Sequence, residues 1–574
     1  MIYGIINARS SDGYVVAILR TVIDIGKMYA GGNRYEEFSI IVGNSIGWSI
    51  AFWAVHFFAY YALVSTVLIF LGKDAVRKLR AFILHIRDIE VIYGIDDEAL
   101  LFGKKLSENK DIAVVFVGEA LTKEAAIRQM GGVLYSDVAA LSASVKFIKR
   151  LAVKKEKGSV RLNAVSDDAD ANLSFALKFV DSLKKCGVLP KQSALVLLGK
   201  DEEEGVNLLA NKDKYGYGSV KLFERSELAA RLLFQKFPVC DRIEFDEKAL
   251  AKKNVDCIIV GFGKIGQEVL RKLVANGQFE GSSFHLKVYD PDIEKLNGIF
   301  KMKYAGMLNA YNIEFEDRDI RSVEAVKYIM EKASELTYIV IAMSDEKKGR
   351  EIAHGITDIL EHNESVLPVF QCGQSKVIAY YYSKESEKYS IFDADILYHG
   401  QMDKLAVLIN HDYRGEDGDV ETQWAECDYY SRMSCRASAD YLSALFRRLN
   451  ISGKDIDEKT LDNLGKTEHL RWNAFHFSMG YSLMSDEDMK EREKMFKTDP
   501  SVRVTRDAKR KLHACLVPWD ELDALSDFEN KLTGKNIDYK KMDCDNIITV
   551  KELMDKGSLQ LTEPSKKRIP LFFG

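Results

Sequence analysis

The stretch VDCIIVGFGKIGQEVLRKLVANG, residues 255–277, decides the fold of the central part of this chain. Its apolar residues 257–260 predict a buried strand that runs into the glycine fingerprint GFGKIG, residues 261–266, and then into a helix. The first glycine permits a tight turn, the second lets the backbone approach a pyrophosphate, and the third lets the helix pack on the strand. A second apolar strand, residues 285–289, ends in Asp290, where a carboxylate can reach ribose hydroxyls. This order predicts a Rossmann-type, doubly wound parallel sheet.

A weaker copy of the pattern precedes it. IEVIYGIDDEALLFGKKL, residues 89–106, predicts a strand, a turn and a helix, and IAVVFVGE, residues 112–119, predicts a second strand. Asp96 and Asp97 place carboxylates where a phosphate would lie, and these charges repel a pyrophosphate. Two interpretations stay open for this half: it binds a dinucleotide, or it only packs or binds a cation or nucleoside. Because strands and helices alternate after both openings, two tandem Rossmann-like halves are predicted.

The apolar run SIGWSIAFWAVHFFAYYALVSTVLIFLG, residues 45–72, contains no Lys, Arg, Asp or Glu. About 20 such residues cross the hydrocarbon layer, so the run predicts a transmembrane helix. Basic residues follow at once, between Lys73 and Arg87, and they place the downstream domains in the cytoplasm, below the inner (plasma) membrane. His56 is expected to face a helix partner. The alternative is a buried helix of a large globular core.

The preceding segment, residues 1–44, is expected to lie at the membrane interface or to re-enter beside the transmembrane helix, because Arg20, Asp24 and Lys27 interrupt its apolar stripe. With the apolar run, LRTVIDIGKMYAGGN, residues 19–33, resembles the pore-helix region and inner helix of two-helix potassium channels that carry cytoplasmic regulatory domains. The TVGYG filter sequence of such channels does not occur in this sequence. An oligomeric pore without that filter stays open.

The tandem halves, roughly residues 86–410, resemble the RCK or TrkA-N regulatory domains of potassium channels and transporters. The resemblance rests on the two strand–turn–helix openings, on GGVLYSD at residues 131–137 and on YIVIAMSDEKKGREIA at residues 338–353. Such domains bind nucleotides or ions and convert binding into movement of a membrane helix. For this chain the resemblance implies NAD(H) or another adenine nucleotide as ligand. The contacts that it implies are Gly261, Phe262, Gly263, Lys264, Ile265, Gly266 and Asp290, with Ser344 and Asp345 near the same crevice.

The C-terminal part, residues 424–560, is predicted to be mainly helical. Its motifs EHLRW, then GY eight residues after the Trp, then LHACLVPWDEL resemble the ryanodine-receptor (RyR) repeat domain in its bacterial form. Bacterial members are expected to recognise small nucleotide-like signals. The resemblance implies stacking surfaces at Trp472, Tyr481 and Trp519, and polar contacts from Glu468, His469, Arg471 and His513.

Composition limits the remaining possibilities. The net charge of −5 is small for 574 residues and argues against nucleic-acid binding. The eight cysteines form no CxxC pair, so neither a zinc ribbon nor a disulfide framework is predicted, and no metal ligands are assigned. The predicted segments are an N-terminal interfacial segment 1–44, a transmembrane helix 45–72, a basic connector 73–88, Rossmann-like halves 89–250 and 251–412, an RyR-like domain 424–560 and a tail 561–574.

Three functions are weighed. The first is a membrane-anchored nucleotide sensor that couples binding to ion conduction or gating; a single helix forms no pore, so a homo-oligomer is expected. The second is a second-messenger-activated effector that disrupts membranes in antiviral or stress defence. The third is an NAD-dependent oxidoreductase, but the sequence has no GxSxG, HExxH or P-loop and no histidine in a recognisable catalytic motif, so no enzyme and no catalytic residue are predicted.

Overall fold

The chain divides into two compact units, one made of residues 1–87 with 146–154 and the other of residues 88–145 with 155–574. The computed structural model describes residues 2–10, 13–70, 88–109, 111–119, 121–151, 158–201, 203, 216–382, 384–398, 400–415, 417–451 and 455–561. The predicted connector 73–88 and the predicted tail 561–574 therefore lie outside the described residues, apart from Asp88 and Leu561.

Helices build the N-terminal unit: α1 (Ile2–Ser10), α2 (Tyr14–Tyr29), α3 (Tyr35–Ile41) and α4 (Ile46–Phe70). Its small core contains Tyr3, Ile6, Phe38 and Phe52. Among the described residues, one stretch, Ile46–Val67 in α4, is long and apolar enough to cross a membrane. Only 17% of its most apolar window is buried, which argues against a core helix. His56 forms the expected interhelical contact, because its Nε2 lies 2.6 Å from the Tyr3 hydroxyl of α1.

The first Rossmann-like half is a six-stranded parallel sheet with spatial order β3-β2-β1-β4-β5-β6. Its strands are β1 (Asp88–Tyr93), β2 (Ile112–Val117), β3 (Val133–Tyr135), β4 (Val160–Ala164), β5 (Ser193–Leu198) and β6 (Ser219–Phe223). Its helices are α5 (Asp97–Ser107), α6 (Glu124–Gln129), α7 (Val138–Leu141), α9 (Ala169–Lys185) and α10 (Arg225–Lys236). Helix α8 (Val145–Leu151) lies between β3 and β4 in the chain and belongs from residue 146 to the N-terminal unit. β2 and β5 are buried along their whole length, as expected for a sheet covered on both faces.

The second half has a seven-stranded sheet with order β13-β12-β11-β10-β7-β8-β9, in which β7 to β11 are parallel and β12 and β13 are antiparallel. Its strands are β7 (Val255–Val260), β8 (Phe284–Tyr289), β9 (Asn312–Glu316), β10 (Tyr338–Ala342), β11 (Val369–Cys372), β12 (Lys376–Tyr381) and β13 (Lys384–Ser390). Its helices are α11 (Lys264–Asn276), α12 (Ile293–Lys303), α13 (Ala305–Ala310), α14 (Val323–Lys332), α15 (Glu346–His362) and α16 (Ala394–Leu397). The strand order reverses between β7 and β10, which is where ligands bind in such sheets. The predicted mixed fold class is confirmed.

The C-terminal region is mainly helical and carries one small sheet, of order β14-β16-β15. Its helices are α17 (Lys404–Tyr413), α18 (Val420–Ala425), α19 (Tyr429–Leu449), α20 (Glu458–Ser478), α21 (Asp486–Thr498), α22 (Leu522–Thr533) and α23 (Tyr539–Leu561); its strands are β14 (Ser482–Leu483), β15 (Arg506–Asp507) and β16 (Leu512–His513). α20 packs against α23 and against α11 of the second half, so it is the link between this region and the Rossmann fold.

The segment after β13 packs against the first half. The ring centroid of Tyr398 lies 5.5 Å from that of Phe102 in α5. The Tyr398 hydroxyl also contacts Glu90, which pairs with Arg161 at 3.1 Å inside the sheet. Burial raises the pKa of Glu90. The two halves therefore share one continuous hydrophobic core.

Candidate functional site

The glycine turn between β7 and α11 is shaped by contacts that only glycine tolerates. Gly261 has φ +97°, and a Cβ atom there would overlap the carbonyl oxygen of Ala342 on β10. A Cβ atom at Gly266 would overlap the carbonyl oxygen of Gly261. These two glycines let α11 start close against the strand, as the sequence predicts.

Gly263 has a different role. A Cβ atom there would meet nothing within 4 Å, and the residue is exposed. It occupies the N-cap position of α11 with φ −63°, and no side chain caps the helix there. The first amides of α11 are thus open to an external acceptor, at the positive end of the helix dipole. An anion such as a pyrophosphate fits this position.

Two of the predicted contacts can offer only backbone atoms. The Phe262 ring is fully buried between Phe300 and Phe315, with ring centroids 5.0 and 5.2 Å away. The Ile265 side chain is also part of the core. Their side chains hold the turn in place. Phe262 N–H already donates to Asp290 at 2.7 Å, so of these two residues Ile265 is the one whose N–H would contact a ligand.

Lys264 is exposed and connects the turn to the first half of the fold. Its Nζ pairs with Glu224 at 3.1 Å and donates to the carbonyl oxygen of Lys200 at 2.9 Å. Glu224 also caps the N-terminus of α10 by accepting from Glu227 N–H. The ammonium group therefore lies between the two halves beside the open end of α11.

Asp290 follows β8 and orders the same turn. Its Oδ2 accepts a hydrogen bond of 2.7 Å from Phe262 N–H, and its Oδ1 accepts one of 2.8 Å from Asp292 N–H. Asp345, after β10, is committed to capping α15 through the N–H groups of Lys347 and Lys348. Ser344 is exposed beside it. The structure thus places Asp290 directly on the glycine turn and the Ser344–Asp345 pair at the end of the neighbouring strand.

In the first half, the corresponding turn lies between β1 and α5, and a carboxylate of the turn caps the helix. Asp96 caps α5 by accepting from Ala99 N–H at 2.8 Å. Burial raises the pKa of this carboxyl group. Lys123 pairs with Asp97 at 2.7 Å, so the second carboxylate is partnered as well. The helix N-terminus that a phosphate would use is occupied by the chain itself, which favours the interpretation that this half does not bind a dinucleotide.

A cavity of about 620 Å³ lies in the C-terminal region between α20, the loop before β15, and α22 to α23. Three predicted residues line it: His469, Trp472 and His513. Residues that the sequence prediction missed also line it: Tyr430, Phe496, Arg503, Arg506, Thr505, Glu529 and Tyr539. The lining combines aromatic rings with the cationic groups of Arg503 and Arg506 and the carboxyl groups of Glu529 and Asp543, so it offers both stacking and charge-assisted contacts to a ligand with a flat ring.

Arg506 lines this cavity between two tyrosine rings, and one of its buried nitrogen atoms has no hydrogen-bond partner among the described residues. Its guanidinium lies 4.0 Å from the ring centroid of Tyr430 and donates to the Tyr481 hydroxyl at 2.9 Å. Its Nε is buried and has no hydrogen-bond partner. Within the described part of the chain, neither Arg506 nor Arg503 forms an ion pair with a carboxylate. The cavity is also lined by Glu529, which accepts from Thr505 and Tyr539, and by Asp543 beside His469. The two arginines offer charged donors to an anion.

The other predicted residues of this region have structural positions. Glu468 and Arg471 form a bidentate ion pair, with both distances 2.7 Å and both side chains 2% exposed. They do not line the cavity. The Tyr481 hydroxyl accepts a hydrogen bond from Arg506. The Trp519 ring packs edge-on against His469, with ring centroids 5.8 Å apart. Of the seven predicted contact residues, three line the cavity. The other four do not line it and contact neighbouring residues of the same region.

His469 contacts two groups at the cavity wall through its two ring nitrogens. Its Nδ1 lies 3.1 Å from Asp543 Oδ2, and its Nε2 lies 2.8 Å from the carbonyl oxygen of Val517. Burial raises the pKa of Asp543. The ring is therefore fixed between α23 and the loop that carries the LVPW motif.

Burial keeps His513 and His476 neutral at physiological pH, because it lowers the pKa of both rings. Burial lowers the pKa of His513 to about 3, and the nearby Arg506 contributes to this shift. Burial also lowers the pKa of His476, which packs on Trp472 with centroids 3.7 Å apart. In the unfolded chain both rings would bind a proton below about pH 6.5. Protonation therefore favours unfolding of this region.

We expect His513→Asn to weaken the pH dependence of stability. Between about pH 6.5 and pH 3 the unfolded state binds a proton at His513 that the folded state does not, so stability falls as the pH falls, by about 1.4 kcal/mol per unit. Asn keeps an acceptor for Cys515 N–H, which now donates to His513 Nδ1. Hydrogen exchange of α20 between pH 7 and 4.5, corrected for intrinsic rates, measures the slope. An unchanged slope in the variant would contradict the assignment.

No protein-family model matches the chain, and no curated protein matches it. Among solved structures, GsuK bound to ADP is similar at 14% identity over 64% of this chain and 90% of that chain, with a TM-score of 0.32. The GsuK channel bound to NAD gives 12% identity over 65% and 79%, with a TM-score of 0.31. A dipicolinate synthase chain from Bacillus halodurans gives 11% over 48% and 79%, with a TM-score of 0.16. These identities and TM-scores are too low to assign a ligand or a site residue of those proteins to this chain.

Proposed function

We propose that this chain is a membrane-anchored nucleotide sensor, acting as a homo-oligomer, that couples ligand binding in its cytoplasmic unit to ion conduction or gating. One observation carries the proposal: the same chain contains α4, whose apolar side chains are exposed, and a Rossmann turn whose helix N-terminus is open at Gly263. The first feature suits a bilayer, and the second suits a phosphate.

The proposed ligand of the turn is NAD(H) or another adenine nucleotide. The open amides of α11 would bind its pyrophosphate, and Lys264 would add a positive charge. Asp290 would accept from a ribose hydroxyl with the lone pairs that its two backbone hydrogen bonds leave free. We propose that the ligand is sensed and not turned over.

The proposed second ligand site is the cavity of the C-terminal region, with a small nucleotide-like molecule as ligand. Arg503 and Arg506 would bind its phosphate, and Trp472 would stack on its base. The two sites are joined by direct contact of their helices. Arg271 of α11 donates to the carbonyl oxygen of Ser478, at the end of α20, at 2.8 Å. A ligand at one site can bias the other only by its differential affinity for two arrangements of these helices.

Flux through liposomes that contain the full-length protein tests the proposal. We expect ADP or NAD to change the release of small ions while a large entrapped dye is retained, because a gated pore discriminates by size. Nucleotide-dependent release of the large dye would instead support the membrane-disrupting effector. Binding of ADP without any flux would contradict the coupling, and consumption of NADH would contradict the non-enzymatic role.

We expect Arg506→Met to lower the affinity of the C-terminal cavity for AMP at least tenfold, about 1.4 kcal/mol, because a charge-assisted phosphate contact is lost. The measurement uses a Gly263→Val background, which removes the Rossmann turn from the titration. Arg510→Met is the matched control, since Arg510 is half-exposed and pairs with Asp488 at 2.7 Å, away from the cavity. Equal AMP affinities in both variants, or no AMP binding in either, would contradict a nucleotide site here.

A further inference from the structure

Helix α2 has the opposite polarity to a helix of a water-soluble domain. It buries Asp24 and half-buries Thr21. Ala17 is buried beside them and Met28 packs against the core of the unit. Seven larger apolar residues face outward, between 41% and 71% exposed: Val15, Val16, Ile18, Leu19, Val22, Ile23 and Ile25. At about 100° per residue these outward residues cover about half of the helix circumference. A helix in water shows the reverse arrangement, with the apolar side buried.

The buried polar groups of α2 are satisfied inside the N-terminal unit. Asn7 of α1 donates to Asp24 Oδ2 at 2.9 Å, and Arg34 pairs with the same oxygen at 3.0 Å. Arg34 also donates to Asn7 Oδ1 at 2.7 Å. Charged groups that face the interior of a helical unit and pair there are typical of proteins whose outer surface meets lipid.

The length of α2 and the position of its two exposed cations indicate how the helix would lie in a bilayer. Its 16 residues give about 24 Å, less than the roughly 30 Å of a hydrocarbon core, so it does not cross the bilayer. Arg20 and Lys27 are exposed and, seven residues apart, share one flank between the apolar and the buried sectors. Such a row of cations matches the level of lipid phosphates.

We propose that α2 is immersed in the bilayer beside α4 without crossing it, with its outward apolar sector against acyl chains and with Arg20 and Lys27 at the phosphate level. The inference rests on the proposed membrane location of α4, against which α2 packs. A second copy of the chain is the less favoured occupant, because a helix–helix seam covers a stripe narrower than the half-circumference that these residues span.

Photolabelling of the unmodified full-length protein tests the placement. The protein is reconstituted in liposomes of phosphatidylcholine and phosphatidylglycerol that contain a lipid with a diazirine in its acyl chain; a water-soluble diazirine is used in parallel. Mass spectrometry then locates the adducts. We expect the lipid reagent to label α2 at Leu19, Val22 and Ile23 as well as α4, and the water-soluble reagent to label α2 several-fold less than the exposed helix α21.

The other outcomes separate the inference from the proposed function. Lipid adducts on α4 with only aqueous adducts on α2 would overturn the inference and leave the membrane anchor intact. Absence of lipid adducts from both helices would overturn both. Protection of α2 from both reagents would show that protein covers this surface and would overturn the placement in lipid.

Discussion

Replacing Arg471 by methionine is expected to lower the stability of the C-terminal region by about 3–5 kcal/mol, because Glu468 would remain buried without its partner. Both carboxylate oxygens of Glu468 accept from Arg471, and Asn546 adds a further bond of 2.8 Å. The loss of one cation leaves a charge that this interior cannot solvate. Protection factors of α20 and α23 amides against hydrogen exchange should fall at least a hundredfold, since each factor of ten corresponds to about 1.4 kcal/mol.

Two controls separate the buried charge from a general packing defect. The double variant Glu468→Leu/Arg471→Met removes both charges and should regain most of the lost protection. Arg321→Met breaks an exposed pair with Asp319, whose distance is 2.6 Å, and should cost less than about 1 kcal/mol. A double variant as unstable as Arg471→Met would show that shape, and not the unpaired charge, causes the defect.

Gly263→Val is expected to fold like the wild type and to lose at least tenfold in affinity for ADP and NAD. The φ of −63° suits a residue with a side chain, and a Cβ atom meets open space, so the fold has no reason to change. The valine methyl groups would occupy the space through which a pyrophosphate reaches the α11 amides. Calorimetric titration and thermal unfolding of the same sample measure both properties.

Gly298→Val is the matched control, because Gly298 also has open space at its Cβ position but lies on α12 away from the turn. It should leave the affinity for ADP and NAD unchanged. Gly261→Val provides the opposite case: with φ +97° and a clash with Ala342, it should disturb the fold itself. If Gly263→Val retained full ADP affinity, the open helix end would not be the nucleotide site.

The Rossmann halves were predictable because their signals are local. The fingerprint at residues 261–266 and the following Asp290 encode strand, turn and helix within a short stretch, and the structure has each of them there. The sequence also predicted a carboxylate at Asp96 where a phosphate would lie, and in the structure this carboxylate caps the N-terminus of α5. The nine predicted nucleotide contacts and the domain boundaries stay predictions.

The C-terminal cavity was predictable only in part because its walls come from distant segments. The motifs that the sequence shows are helical and include the buried Glu468–Arg471 pair, which side-chain type alone cannot distinguish from a ligand contact. Tyr430 and Arg506, 76 positions apart in the numbering, meet only in the folded state. The closely spaced cations Arg503 and Arg506, in a charged insert between two motifs, were the signal available. The inverted polarity of α2 likewise depends on which face α1 covers.

The position of Lys264 has a consequence for any phosphate that binds at α11. Its ammonium group already satisfies Glu224 and Lys200, which belong to the other half of the fold. A phosphate that recruits this charge would compete with those two acceptors, so binding at the turn and this contact between the halves would be thermodynamically linked. Without a phosphate, Lys264 holds Glu224 and Lys200 of the other half; a bound phosphate would weaken this contact.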